Sequence, residues 1–182
     1  MCLYATKKPA VAKKELTFYK VLCDWVEHAH PEITDKYDTW PKDPSQYKKV
    51  LMSPYQNMDV EIGTEYKITE FDHIQVHATK IDEGVLGNVV THGAFHLFAS
   101  LEDAERFVED TGAGFVSWYN KSLVIVKAIV PEGAEYVEGI MPELGPPWAE
   151  KRGDYDCVAV NRVRYELLDN KLPCPSKSLT KC

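Results

Sequence analysis

The chain has no long apolar run, no paired-cysteine motif, no glycine-rich phosphate loop and no excess of positive charge. Each absence excludes a class of protein. No stretch approaches the ~20 consecutive apolar residues that a bilayer-spanning helix needs, so no membrane segment is expected. The first residues, Met1-Cys2-Leu3-Tyr4, give way at once to polar ones. They lack the hydrophobic core of a secretory signal, and the expectation is a cytoplasmic protein that is not secreted. The five cysteines are odd in number and contain no Cys-x-x-Cys pair, which fits neither a disulfide framework nor a thiolate zinc site. Lys and Arg number 21 against 28 Asp and Glu, a net charge of −7. Such a chain has no long-range attraction for phosphate backbones, so nucleic acid is disfavoured as a partner. The Lys-rich start (Lys7, Lys8, Lys13, Lys14) reads most simply as a solvated edge.

What is present is an ordinary globular composition. Of the 182 residues, 45% are apolar and 27% charged, enough for one domain with its own core. Strand patterns, rich in β-branched and aromatic residues or alternating in polarity, fall at Cys2–Ala5, Leu16–Val26, Lys49–Tyr55, Glu65–Ile68 and His73–Ile81. They continue at Asn88–Ala99 (broken at Gly93), Ser122–Val130, Ala134–Val137 and Asp156–Leu168. Ser122–Val130 is apolar on both faces apart from Lys127, the mark of a central strand covered on both sides. Turn chemistry stands at Asp82-Glu83-Gly84, Gly87-Asn88 and Pro131-Glu132-Gly133.

One helix is expected, over Leu101–Asp110. Ser100 is a good cap, Asp103 takes the capping-box position, and Gly112 and Gly114 are expected to end it. Strands outnumber helices without alternating with them. The expected fold is therefore α+β: one domain over residues 1–168, a twisted and mostly antiparallel sheet, one main helix, long loops at 27–48 and 139–154, and a polar tail at 169–182.

The chemistry-bearing residues form no complete set. The six histidines fall in pairs, His28/His30, His73/His77 and His92/His96. On a strand, an i,i+4 pair is about 13 Å apart, too far to share one ion, so no metal site and no cofactor is assigned. There is no Gly-x-Ser-x-Gly elbow, no P-loop and no Gly-x-Gly-x-x-Gly. Ser100 is accounted for as a helix cap.

The order of segments carries more information. Tyr19-Lys20-Val21 is followed by Ser53-Pro54-Tyr55, then by Gly63 and Tyr66, then by the block from Gly93 to Ala104 (GAFHLFASLEDA). Val126 to Gly139 (VKAIVPEGAEYVEG) closes the series. Over about residues 1–168 this resembles a family of small proteins of bacteriophages and bacteria with a G-[FI]-H-x-F-x-S-x-E-D-A block. The resemblance implies a viral or bacterial origin and brings no mechanism with it. A remoter likeness is to ADP-ribosyltransferase-like domains. It implies a nicotinamide-cofactor site in which Tyr19-Lys20 stands at the first position, Phe98-Ala99-Ser100 at the second and Asp154-Tyr155-Asp156 near the third. Only Ser100 matches that pattern in kind.

Three functions are thus carried forward. The first is a non-catalytic binding protein, a phage-type accessory factor whose partner is another protein, with Trp40 and Trp148 on its loops. The second is an ADP-ribosyltransferase-like enzyme with altered residues. The third is a histidine-based metal enzyme. If a cleft exists, Tyr19, Lys20, His96 and Ser100 are the residues expected to line it.

Overall fold

In a computed structural model, the described residues are 3–28, 47–53, 58–68, 73–81, 85–92, 94–119, 122–141 and 154–168. The strands are β1 (Leu3–Ala5), β2 (Ala10–Val11), β3 (Leu16–His28), β4 (Tyr47–Ser53), β5 (Met58–Val60), β6 (Glu65–Lys67) and β7 (Gln75–Ile81). They continue with β8 (Val85–His92), β9 (Phe95–Phe98), β10 (Ser122–Val130), β11 (Glu135–Met141), β12 (Tyr155–Val160) and β13 (Arg162–Leu167). One helix, α1 (Leu101–Tyr119), follows β9. The fold is the expected α+β domain. Among the described residues, all thirteen strands belong to one sheet, and every pairing among them is antiparallel.

The sheet runs β6-β13-β10-β3-β9-β12-β11-β1-β8-β7. β12 and β13 are consecutive in sequence, separated only by Asn161, yet β10, β3 and β9 lie between them along the path. One residue cannot bridge that gap across a flat sheet, where strands sit about 4.8 Å apart. The sheet therefore curls until β12 and β13 meet at Asn161, and the circuit β13-β10-β3-β9-β12 closes on itself as a small barrel does. Asn161 also ties the corner down. Its side-chain carbonyl accepts from the Glu135 N–H at 2.9 Å, its own N–H donates to the Glu135 carbonyl at 3.1 Å, and its carbonyl accepts from the Ile68 N–H at 3.0 Å.

Closure divides the core in two. Inside the circuit lie Leu22, Leu97, Val126, Ala128, Val130, Val158, Val160, Val163 and Tyr165. Outside, Ala104 and Phe107 of α1 pack with Phe98, Tyr155, Cys157 and Ala159. β10 is buried on its inner face by Val124, Val126, Ala128 and Val130; on its outer face Ile129 is buried and Leu123, Ile125 and Lys127 are half-buried, so the cover expected on both sides is complete on one. Pro131-Glu132-Gly133 turns the chain as expected. Gly133 has φ +79° and the Ala134 N–H bonds back to the Pro131 carbonyl at 3.1 Å, which is a type II turn.

Several expected boundaries are corrected. β3 extends to His28 and β4 begins at Tyr47, so both strands enter the segment 27–48 expected as loop. β11 runs on to Met141, past the expected end at Val137 and into the segment 139–154. Its extra residues are held by pairing with β12 and β1, a partnership that sequence periodicity does not reveal. The expected single strand Asp156–Leu168 breaks at the Asn161 corner. The two halves of Asn88–Ala99 separate: β8 joins β7 and β1, whereas β9 joins β12 and β3. Gly87-Asn88 is no turn but part of β8, opposite Thr79 and Ala78.

α1 does not stop at Gly112 and Gly114 but continues to Tyr119. Two interior glycines cost about 1 kcal/mol each relative to alanine, less than is needed to break a helix anchored at its start by a cap and a packed face. The tail 169–182, the residues 29–46 and 142–153, and with them Trp40 and Trp148, lie outside the described residues.

Gly139 is required sterically. A β-carbon there would collide with the carbonyl oxygen of Tyr4 and the side chain of Leu3, because β1 pairs with β11 at that point. Gly139→Ala is expected to loosen β1 and lower stability by roughly 1–3 kcal/mol, read as a lower Tm with faster amide exchange at Leu3–Ala5. Tyr165 is fully buried inside the circuit, and among the described residues its hydroxyl has no hydrogen-bond partner. Burying an unmet hydroxyl costs about 1–3 kcal/mol, so Tyr165→Phe is expected to raise the denaturation midpoint. An unchanged or lower midpoint would show that the hydroxyl is satisfied.

Candidate functional site

The Phe98–Ser100 segment is where strand becomes helix. The Ser100 hydroxyl accepts from the Asp103 N–H at 3.0 Å and donates to the Asp103 carboxylate at 2.7 Å. The first bond is the N-cap half of the box that the Ser-x-x-acid spacing predicts; the Asp103 carboxylate takes the Ser100 hydroxyl rather than reaching back to the Ser100 N–H. Asp103 in turn receives Arg106 at 2.8 Å. The same guanidinium nitrogen donates to the Asp154 carbonyl at 2.7 Å, and the guanidinium lies 4.7 Å from the centre of the Tyr155 ring. Tyr155, buried beneath it, donates its hydroxyl to Asp110 at 2.7 Å. Phe98, Phe107 and Tyr155 complete an aromatic cluster, with ring centres 5.0–6.0 Å apart. The network clamps α1 onto β12.

Sequence patterning foresaw the cap but not Arg106, Asp110 or Tyr155. Asp103 and Arg106 at i,i+3 on a helix were the legible signal. The pairing of Tyr155 with α1 arises from residues 45 apart and leaves none.

Lys20 occupies an unusual place. β3 is paired with β10 along one edge from Leu16 to Asp24. On its other edge it meets β9 at Tyr19 and β4 from Cys23 onward. Between those partners the sheet splits, and the Lys20 ammonium crosses the split to donate to the His96 carbonyl at 2.8 Å. A side chain thereby supplies a donor where β3 has left the β9 ladder, which answers the requirement that a buried carbonyl be paired. Lys20 is only 5% exposed, and burial pulls its pKa from 10.5 down to about 8. Burial also pushes the Cys157 thiol up to about 12, with the Asp103 carboxylate adding to the rise. Cys157 is thus an inert thiol rather than a nucleophile.

The four residues expected to line a cleft do not share one surface. Tyr19 packs with the outer core. Lys20, its neighbour on an alternating strand, points to the opposite face, into the closed circuit between Phe18 and Leu22. His96 is half-buried on the outer side of β9, since Phe95 and Leu97 take the inner one. Its backbone, not its imidazole, meets Lys20. Ser100 is held in the cap.

Two further histidines, His73 and His77, have described side chains. His73 lies just before β7, exposed, with Nδ1 3.4 Å from the Glu135 carboxylate, which also accepts from the Ile74 N–H at 2.7 Å. His77 is exposed on β7. Among the described residues, no three His, Cys, Asp or Glu side chains are grouped so as to hold a metal ion. Also among the described residues, no helix is long and apolar enough to cross a membrane. Compared with family models, curated proteins and solved structures, the chain matches none.

The Lys20 environment sets a pH dependence. The unfolded chain keeps this proton up to about pH 10.5, and the native state releases it from about 8. Between these values the unfolded state binds more protons, so stability rises with pH. Cys157 acts oppositely from 9.0 upward, because its native pKa is the higher one. A net rise is therefore expected from pH 8 to 9, followed by compensation. Lys20→Met is expected to abolish the rise and leave only the fall above pH 9, measured by urea unfolding across that range.

Proposed function

We propose that this chain is a non-catalytic binding protein, a phage-type accessory factor that works inside the cell by contact with another protein. One observation carries the reading: the polar groups that a catalytic cleft would need are already tied into the scaffold. The Ser100 hydroxyl both donates to and accepts from Asp103, and the Lys20 amine is buried against the His96 carbonyl. Tyr19 and Lys20, adjacent on β3, face opposite sides of the sheet, which also weighs against an ADP-ribosyltransferase-like site using both. Catalysis needs groups preorganised toward a common reacting atom. Groups already engaged in capping and sheet pairing are not available for that role.

Titration calorimetry with NAD, together with an assay for nicotinamide release, tests the reading. The expected result is neither heat nor product. Saturable NAD binding that is lost in Ser100→Ala or Lys20→Met would replace this reading with the ADP-ribosyltransferase-like one. Stoichiometric zinc, iron or manganese in the purified protein would favour the histidine-based alternative.

A further inference from the structure

The strands fall into two sets. β3, β4, β5, β6, β10 and β13 pair with one another. β1, β2, β7, β8, β9, β11 and β12 do the same. Among the described residues a single register pair joins the sets, Tyr19 with Phe98 across β3 and β9. The Lys20 ammonium reinforces it through the His96 carbonyl at 2.8 Å. Within each set the circuit is tied by longer runs. β10 follows β3 from Leu16 to Asp24, and β12 follows β9 along the whole of Phe95–Phe98. The β3–β9 seam is the thinnest strand pairing in the circuit.

The chain passes from one set to the other between β2 and β3, β6 and β7, α1 and β10, β10 and β11, and β12 and β13. The α1–β10 passage, at 120–121, lies outside the described residues. The rest are bonded into one node. The Ala12 N–H donates to the Ala134 carbonyl at 2.8 Å, and the Ala12 carbonyl accepts from the Gly133 N–H at 2.8 Å. Asn161 exchanges bonds with Glu135 and accepts from the Ile68 N–H, and the Glu135 carboxylate accepts from the Ile74 N–H. The helix α1 goes with the second set. It starts directly after β9, and Arg106 and Asp110 bind Asp154 and Tyr155 at the start of β12. Toward the first set, the cluster that Ala104 and Phe107 join is apolar, with Val21, Leu123 and Ile125. Apolar contact is non-directional and permits small sliding of packed elements.

We propose that the two sets are the halves of a hinge: they turn slightly about the Asn161–Glu135 node, and the β3–β9 seam parts while each half keeps its own pairings. The motion breaks one register pair and one side-chain bond and admits water to Lys20. Lys20 is 5% exposed with the seam closed, and burial disfavours its charge, pulling its pKa from 10.5 down to about 8. Hydration of the ammonium offsets part of the cost of parting. A wider separation would strip the shared inner core, in which Leu22, Val126 and Val163 of one half meet Leu97, Val158 and Val160 of the other, so the opening stays small. This inference does not depend on the functional reading above.

Amine labelling of the unmutated protein tests it. The native protein is acetylated to low extent at fixed pH, in a urea series kept below the unfolding transition, and Lys20 is followed by peptide mass spectrometry. Lys20 is expected to react far more slowly than exposed Lys8 and Lys13, yet through an opening roughly tenfold or more as populated as global unfolding. Its urea dependence is expected to be much the weaker of the two, because little surface is exposed. Amide exchange followed by NMR gives a second reading. Tyr19 and Phe98 are expected to exchange through the same weakly urea-dependent opening. Val126 and Val158, paired with Lys20 and Leu97 inside their own halves, are expected to exchange only through global unfolding. Lys20 labelling with the population and urea slope of global unfolding would overturn the proposal. So would labelling as fast as at the exposed lysines, or Tyr19 and Phe98 amides that exchange no more readily than those of Val126 and Val158.

Discussion

The closure of the sheet at Asn161 is the constraint on which the rest of the structure depends. Because β12 and β13 are joined by one residue, the strands between them in the sheet must curl into a circuit. Curling creates an inside, filled by small and branched side chains, and an outside on which α1 lies. The hydrogen bonds that Asn161 exchanges with Glu135 and accepts from Ile68 hold the corner between the pairings of β11 and β6. A chain that turns so sharply within a sheet must recover the pairing of its backbone groups by other means, and a side-chain amide does so here.

A second consequence is the split beside β3. A long strand shared between a closed circuit and the β4 arm cannot keep β9 along its full length. The ladder is broken next to the His96 carbonyl, and Lys20 supplies the missing donor. The cost is a cation buried where burial disfavours its charge, which is why its pKa falls. A lysine in such a place resembles a catalytic one by its titration alone, since perturbed groups cluster at active sites. Its geometry gives it an architectural task instead. The same holds for Ser100, engaged with Asp103 at the start of α1, and for Arg106, which reaches across the helix–sheet contact to the Asp154 carbonyl and the Tyr155 ring.

Patterns with short range were legible in the sequence. The Ser100–Asp103 cap, the central strand Ser122–Val130, the Pro131–Gly133 turn and the burial of Ile74 opposite exposed His73 and His77 all follow from spacings of one to four residues. The errors share another cause. The extensions of β3, β4 and β11, the separation of β8 from β9 and the continuation of α1 through two glycines each depend on a neighbour distant in sequence. Pairing partners supply backbone hydrogen bonds that local propensity does not encode. Adjacent strand residues diverge to opposite faces for a related reason, so Tyr19 and Lys20 do not serve one surface of β3 together.

The sequence by itself determined the class of fold, a single α+β domain with one main helix, because alternation and capping are written in residues close to one another. It also determined the chemistry on hand, acidic overall and without a complete catalytic motif. Only the tertiary structure decided that the sheet closes on itself, that Lys20 faces inward to the His96 carbonyl, and that β7 ends the sheet path among the described residues. Those outcomes depend on which strands meet. That choice is made by burying one continuous core and pairing every backbone group at the same time, a condition on the whole chain rather than on any segment of it.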